Sequence, residues 1–554
     1  MTLGMVASTA MPAFAFFLAS FFQGCASDNP FLEPEQIHIG LGLGPSEMTV
    51  QWVGPPGSVY AEYGTDPSGP SQHQQGDSFT FSDTQQECRN YTMHIVTMMG
   101  LVPNTDYHYV VGAESGARSR QYHFKSASDT ESLKSRPPLT YAIYGDLGDY
   151  NGQALPSLKK ATLAGELDMV LHIGDFAYDM HSDNGRNGDA FMRDIEPVAA
   201  TVPYMVAHGN HEAAFNFNHY TQRFRNMPSN SGSLAFAEFG TVPNNWWYSW
   251  DSGLVHFVTL STEVYFSYPN LTAKQYAWLV QDLGSVNRTR TPWVIVNGHR
   301  PLYCSCDSDC LGAATTNRMG NMINGTFKYG LEQLFFSHGV DLYIAGHEHD
   351  YERMYDVSPH YNSSFPLFSG RTTESTVDPP ATTYIVTGSA GSVEGHEPFT
   401  FPALRRSAKR LNTFGWSKMT VHNATHLLWQ QVHTDSGGRD EIADEAWIVQ
   451  HHHAPFPDHP RRHVVSRAGL AEHIDSSAVV RALAGHPARV AAIAAAGAAA
   501  EDSRSGQCKR RAHGEHCECT DKELEMELVR LGHWQASKLK REPEVNSVWQ
   551  PLFL

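Results

Sequence analysis

Hydrophobic and polar positions alternate with a period of two from residue 31 to about residue 130. QIHIGLGLG, EMTVQWVG, VYAEYGT, YTMHIVTMMGL, DYHYVVGAE and RQYHFKSA read as short half-buried strands with Gly, Pro, Asn and Asp between them. Six or seven such strands in about 100 residues predict an all-β sandwich. SASDTESLKSRPP breaks the alternation and reads as a linker. From Leu139 the pattern changes. The apolar runs LTYAIYG, DMVLHIG, PYMVAHG, VHFVTLS, PWVIVNG, VDLYIAG and TTYIVTG alternate with helical periodicity at 154–166, 272–284 and 327–338. This order predicts a layered α/β domain, βαβαβ in sequence, with mixed or parallel sheets. GWSKMTVHNATHLLWQQVHT and EAWIVQHHH read as antiparallel strands that close it.

The ends of the chain follow neither pattern. MTLGMVASTAMPAFAFFLASFFQGCAS carries an uncharged apolar run from Ala10 to Phe22, then small residues at Gly24 and Ala26, and reads as a secretory signal over 1–26. No basic side chain precedes the run, and it is shorter than the ~20 residues of a membrane span. Residues 451–554 begin with HHHAPFPDHPRRH, read as a solvated linker rather than a metal site, and include the Ala-rich RALAGHPARVAAIAAAGAAA. Arg481, His486 and Arg489 argue against a membrane span there, and the segment is assigned no role. With 554 residues the chain is too long for one core. The patterned parts divide into 31–130, 139–355 and 380–450.

Composition is that of a globular protein, 41% hydrophobic and 18% charged. A net charge of −18 points away from nucleic acid and anionic membrane surfaces as partners. An anionic substrate would need a strong local positive source, which metal ions supply. Acceptor sequons at Asn90, Asn270, Asn287, Asn324, Asn362 and Asn423 agree with a secretory route. Among the cysteines, the cluster YCSCDSDC offers either a zinc site without a fourth ligand nearby in sequence or a local disulfide; the disulfide Cys304–Cys310 is the reading preferred.

Five α/β strands end in one design, an apolar run, usually a glycine, then a metal-binding side chain. They are YAIYGDLG (Asp146), LHIGDFAY (Asp175, Tyr178), AHGNHE (Asn210, His211, Glu212), VIVNGH (His299) and IAGHEH (His347, His349). Each alone has a bland reading: Gly-Asp as a turn, a strand-end His as a hydrogen-bonded core residue, Tyr178 as packing. In open α/β sheets, however, loops at the carboxyl ends of strands converge on one crevice, and glycine admits close backbone approach. Five such ends in one domain point to a metal centre.

Asp146-Leu-Gly, Gly174-Asp-Phe-Ala-Tyr178, Gly209-Asn-His-Glu212, Val296-Asn-Gly-His299 and Gly346-His-Glu-His349 resemble the five motifs of the purple acid phosphatases, a family of calcineurin-like metallophosphoesterases. The resemblance spans about residues 31 to 450. GLVPNTDYHYVV resembles a fibronectin type III stretch, so the N-terminal sandwich is expected to be fibronectin- or immunoglobulin-like. WYSWDSG, LSTEVYF, HRPLYCS and HDYERMYDV resemble the animal long form.

The resemblance implies an Fe(III) site of Asp146, Asp175, Tyr178 and His349, coloured by phenolate-to-iron charge transfer. It implies a divalent site of Asp175, Asn210, His299 and His347 that takes Zn, Fe or Mn, with Asp175 bridging. It further implies a secreted or vacuolar/lysosomal acid phosphatase that cleaves small phosphate monoesters to alcohol and phosphate by attack of a metal-bound hydroxide. His211 is then a phosphate contact or the proton donor to the leaving group, with Glu212 a possible orienting partner. Plant-type members have two histidines after the fourth motif. Here the loop reads Arg300-Pro-Leu-Tyr-Cys-Ser-Cys, which leaves Arg300 or Tyr303 as substitutes and assigns specificity to rim loops such as 181–192 and 304–326. The rival functions are a diesterase or nucleotide pyrophosphatase on the same centre, and a non-catalytic secreted binding protein.

Overall fold

The computed structural model describes residues 29–456 apart from 84, 86, 115, 136, 137, 238, 239, 308, 360–370, 436 and 438. The secretory-signal reading, the sequon at Asn362 and the tail beyond Phe456 lie outside the described residues.

The N-terminal part is a sandwich of two antiparallel sheets. One runs in the order Glu35–Leu41, Glu47–Val53, Asn90–Met99, Asp77–Ser82, and the other Gln72–Gln75, Val59–Gly64, Asp106–Ala113, Tyr122–Lys125. Ile37, Ile39, Val50, Trp52, Ala61, Tyr109 and Val111 fill the space between them. Gln72–Gln75 and Asp77–Ser82 were not among the expected strands. They are edge strands, largely exposed and polar, so they carry little apolar alternation.

Glu35–Leu41 and Glu47–Val53 are buried on both faces rather than half-buried. Their second face packs on the α/β domain. Gln36 Nε2 donates to Asp189 Oδ1 (3.3 Å), the Ile37 N–H to Glu196 (3.2 Å) and Gln51 Nε2 to the Gln222 carbonyl (2.8 Å). Asp189 also binds Arg223 at 2.9 Å and Arg89 at 2.7 Å, which makes one buried carboxylate the knot between the domains.

The α/β domain has two seven-stranded sheets. In one, Met169–Ile173 pairs in parallel with Leu139–Tyr144 and with Tyr204–Ala207, and the closing antiparallel strands Gly415–Val421, His426–Thr434 and Asp440–Val449 follow Leu139–Tyr144. In the other, Val255–Thr259, Trp293–Asn297, Leu342–Ala345 and Thr383–Thr387 run parallel. Tyr141 of the first sheet meets Phe257 of the second edge-to-face at 5.2 Å, and the Trp429 indole donates to the Tyr351 hydroxyl across the same layer.

The expected helices appear as Leu155–Leu163, Pro269–Ser285 and Leu331–His338. The last begins late because Gly320–Ile323 and Thr326–Tyr329 form a hairpin around Asn324-Gly325, both at positive φ (52° and 77°). The two rim segments are partly helical. Arg186–Ala199 is a helix that buries Phe191, Met192, Ile195 and Val198 at helical spacing despite its weak formers Gly188 and Pro197, and Asp309–Met319 is a helix with a weak periodic signal that contains Gly312. Asn270, Asn287, Asn324 and Asn423 are exposed, whereas Asn90 is half-buried and accepts from the Ser82 hydroxyl. No helix among the described residues is long and apolar enough to cross a membrane.

Candidate metal centre

Every expected ligand stands just past the carboxyl end of a parallel strand. Asp146 follows Leu139–Tyr144, Asp175 and Tyr178 follow Met169–Ile173, and Asn210 follows Tyr204–Ala207. His299 follows Trp293–Asn297, and His347 and His349 follow Leu342–Ala345. The first three strands belong to one sheet and the last two to the other, so the ligands collect where both layers end. Bonds between the layers lock this edge. The Gly145 N–H donates to Thr387 (2.9 Å), the His347 N–H to Asp146 Oδ2 (2.9 Å) and His299 Nδ1 to the Ile173 carbonyl (2.9 Å).

The backbone is strained where the expected ligands sit. Asp146, Asp175, Tyr178 and His347 have φ of 62°, 52°, 44° and 72°, a region that costs an L-residue roughly 1–2 kcal/mol. Such outliers cluster at functional sites and persist only where surrounding packing enforces them. The glycines beside them are steric necessities. A Cβ on Gly209 would lie 2.2 Å from Asp175 Oδ1, and one on Gly346 2.5 Å from Asp146 Oδ2.

Lone pairs converge here with few donors to match them. With Nδ1 committed to Ile173, His299 turns Nε2 toward Asp175 Oδ2 (3.2 Å) and Asn210 Oδ1 (3.1 Å). His349 places Nδ1 3.1 Å from the Gly395 carbonyl and Nε2 2.9 Å from the Tyr178 hydroxyl, which lies 3.3 Å from Asp146 Oδ1. Donor atoms of Asp175, His299 and His347 all lie within 4.8 Å of one another. The carbonyl behind the His299 and His349 imidazoles is the usual way to orient a metal-binding histidine. Burial, then the charges of Asp146 and Asp175, push the Tyr178 phenol well above its usual 10, so its ionisation calls for a strongly positive partner. The donor set fits cations.

Residues 139–351 match the family model of calcineurin-like phosphoesterases, 34–126 that of the purple acid phosphatase N-terminal domain and 381–445 that of the iron/zinc purple acid phosphatase-like protein C. Over 430 residues the chain is 39% identical to acid phosphatase type 7 of Homo sapiens, covering 76% of this chain and 92% of the relative. The chain belongs to the purple acid phosphatase family. Purple acid phosphatase 18 of Arabidopsis thaliana is 29% identical over 428 residues, covering 75% of this chain and 84% of the relative. The purple acid phosphatase from yellow lupin (Lupinus luteus) seeds shares the fold at a TM-score of 0.59 and 22% identity, over 76% of this chain and 75% of that one. The protein is a dinuclear-metal acid phosphatase, in a family whose centre generally holds iron plus another metal.

Around the ligands, the phosphatase departs from its sequence-based reading in three places. His211 is not oriented by Glu212. Its Nδ1 lies 2.9 Å from Asp179 Oδ1, and its Nε2 faces the site, 4.0 Å from Asp175 and 3.7 Å from Glu394. Burial alone would lower the His211 pKa, but the Asp179 hydrogen bond and the Asp175 charge outweigh it and raise it to about 9. Glu212 is buried and accepts the N–H groups of Asp175 (2.9 Å), Phe176 (3.0 Å) and Gly209 (2.8 Å), which staples two ligand loops together. Asp179 directly follows Tyr178, but nothing in the sequence singled it out.

Tyr303 is no substitute for the plant-type histidines. Its ring is buried and its hydroxyl donates to Glu332, whereas Arg300 reaches His347 Nε2 at 2.8 Å. Cys304 and Cys310 form the expected disulfide. The fourth group that the cluster lacked in sequence is nevertheless present in space, since Glu348 lies 2.7 Å from the buried thiol of Cys306.

Proposed function

We propose that the phosphatase is a secretory-pathway phosphomonoesterase with Fe(III) held by Asp146, Asp175, Tyr178 and His349. Its second metal, Zn, Fe or Mn, is held by Asp175, Asn210, His299 and His347. The observation that carries the assignment is the phenol of Tyr178, set 2.9 Å from His349 Nε2 and 3.3 Å from Asp146 Oδ1 in a buried cluster of acceptors. Two carboxylates and a phenolate favour a hard trivalent ion, whereas one shared carboxylate with neutral Asn210 and two imidazoles suits a softer divalent one. When bound, the pair supplies Lewis acidity and a nucleophile at low pH.

The chain's own residues do the rest. Asp179 holds His211 by Nδ1, so that Nε2 is the nitrogen presented to a bound ester, in position to give a proton to the departing alkoxide. Glu212 keeps the Asp175 and Gly209 loops in register. The exposed sequons at Asn270, Asn287, Asn324 and Asn423 support the secretory route. Metal analysis of the purified protein with a visible spectrum tests the assignment. Two metals per chain, one of them iron, and a broad visible band that Tyr178→Phe removes without unfolding are expected. An iron-free, colourless native preparation with full activity would refute it.

A further inference from the structure

Arg300 follows the ligand His299, and its main chain is fixed at both ends. Its N–H donates to the Thr262 hydroxyl at 3.0 Å, and its carbonyl accepts from the Tyr343 hydroxyl at 2.8 Å. The side chain is held as firmly. Nε donates to the buried carboxylate of Glu263 at 2.8 Å, and the guanidinium lies 4.8 Å from the centroid of the Phe266 ring, which is partly exposed. Nη1 donates to His347 Nε2 at 2.8 Å, and Asp309 Oδ2 lies 3.4 Å from that same nitrogen. Among the described residues Nη2 has no hydrogen-bond partner. A permanent cation has thus been carried by a buried carboxylate to the edge of the centre, with Nε bonded to Glu263 and Nη1 to His347.

We propose that Arg300 is a specificity-determining residue that binds a non-bridging phosphoryl oxygen of the ester, and of product phosphate, with Glu263 as the positioning residue that aims it. The proposal rests on the assignment of His347 as a ligand. A metal held by His347 Nε2 would take the lone pair that Nη1 uses in this structure and would free both terminal nitrogens, while Glu263 keeps Nε in place. A planar guanidinium then offers a phosphoryl group the paired N–H geometry that a lysine lacks. It also supplies the fixed positive charge that a chain of net charge −18 needs where its anionic substrate enters. The Phe266 ring adds a cation–π contact that favours this placement of the guanidinium.

The test uses the metal-loaded protein and four forms: wild type, Arg300→Ala, Arg300→Lys and Glu263→Gln. Inorganic phosphate is the probe. Its binding is read by calorimetry and by its inhibition of p-nitrophenyl phosphate turnover, beside metal content and the visible spectrum. A charge-assisted hydrogen bond corresponds to roughly 10- to 100-fold in affinity. Arg300→Ala should therefore weaken phosphate binding and raise KM by about that factor with both metals retained. Arg300→Lys should fall between it and wild type, and Glu263→Gln should lose several-fold. Phosphate affinity within two-fold of wild type in Arg300→Ala overturns the proposal. So does a variant that sheds the divalent metal while its loaded fraction binds phosphate normally. If Arg300→Ala does not fold, Arg300→Lys and Glu263→Gln decide, and unchanged phosphate affinity in both overturns it. A wrong ligand assignment is distinguishable, because His347→Ala would then keep both metals whatever the Arg300 variants do.

Discussion

His211 has one nitrogen occupied by Asp179 and the other facing the site, a geometry suited to a proton donor. His211→Ala should slow alkyl phosphates about 10²–10⁴-fold, but p-nitrophenyl phosphate far less, since nitrophenolate leaves without a proton. The ratio of the two kcat losses, measured with both metals present, is the readout. A ratio near one would leave His211 a phosphate contact. Far from the centre, His256 is wedged between Asp251 (2.7 Å) and Asp282 (3.1 Å). Burial would lower its pKa, but both carboxylates overcome burial and raise it to about 9. A raised folded-state pKa adds stability that is complete below the unfolded value near 6.5 and is lost as pH climbs through about 9. His256→Gln should therefore cost on the order of 2 kcal/mol at pH 6 and much less above pH 9, by chemical denaturation. An equal cost at both pH values would mean that the imidazole acts by packing.

At the scale of elements, the centre depends on how closely strand ends approach one another. Gly209 ends the strand-to-ligand turn before Asn210, and its missing Cβ leaves room for Asp175 Oδ1. Gly209→Ala should displace that carboxylate, which both proposed sites share, and lower the content of both metals with activity. The parallel strands behind it should hold, so the unfolding midpoint of the metal-free protein should fall only modestly. Metal content by elemental analysis decides, and full occupancy in the variant would show that the turn yields more easily than the 2.2 Å approach implies.

At the scale of the whole molecule, the sandwich and the catalytic domain share one buried electrostatic knot. Asp189 accepts from Arg223 and Arg89 and from Gln36 of the first sandwich strand. Removing one partner of a buried ion pair strands the other charge, at a cost of about 3–5 kcal/mol. Asp189→Ala should lose about that much by urea denaturation. A loss below 1 kcal/mol would mean that water reaches the arginines and that the knot is not closed.

Much of this molecule was legible in one dimension. Alternation marked the sandwich strands, apolar runs marked the parallel strands, and the side chains that end those runs are the ones the fold brings together: Asp146, Asp175, Tyr178, Asn210, His299, His347 and His349. They are legible because strand periodicity and the glycine-ligand turns are local properties of the chain. What lay beyond the sequence are pairings that only folding creates. Asp146 meets the His347 N–H across 201 residues, Glu212 serves backbone donors rather than its neighbour His211, and Arg300 is aimed by Glu263, 37 positions earlier. The polar edge strands Gln72–Gln75 and Asp77–Ser82 were also missed, since their identity comes from the sheet they border and not from their own pattern. The ligand types are written locally. Which nitrogen of His299 faces the centre, and where His347 is anchored, depends on two sheets ending at one edge, where the Ile173 carbonyl and the Asp146 carboxylate take their partners from the opposite layer.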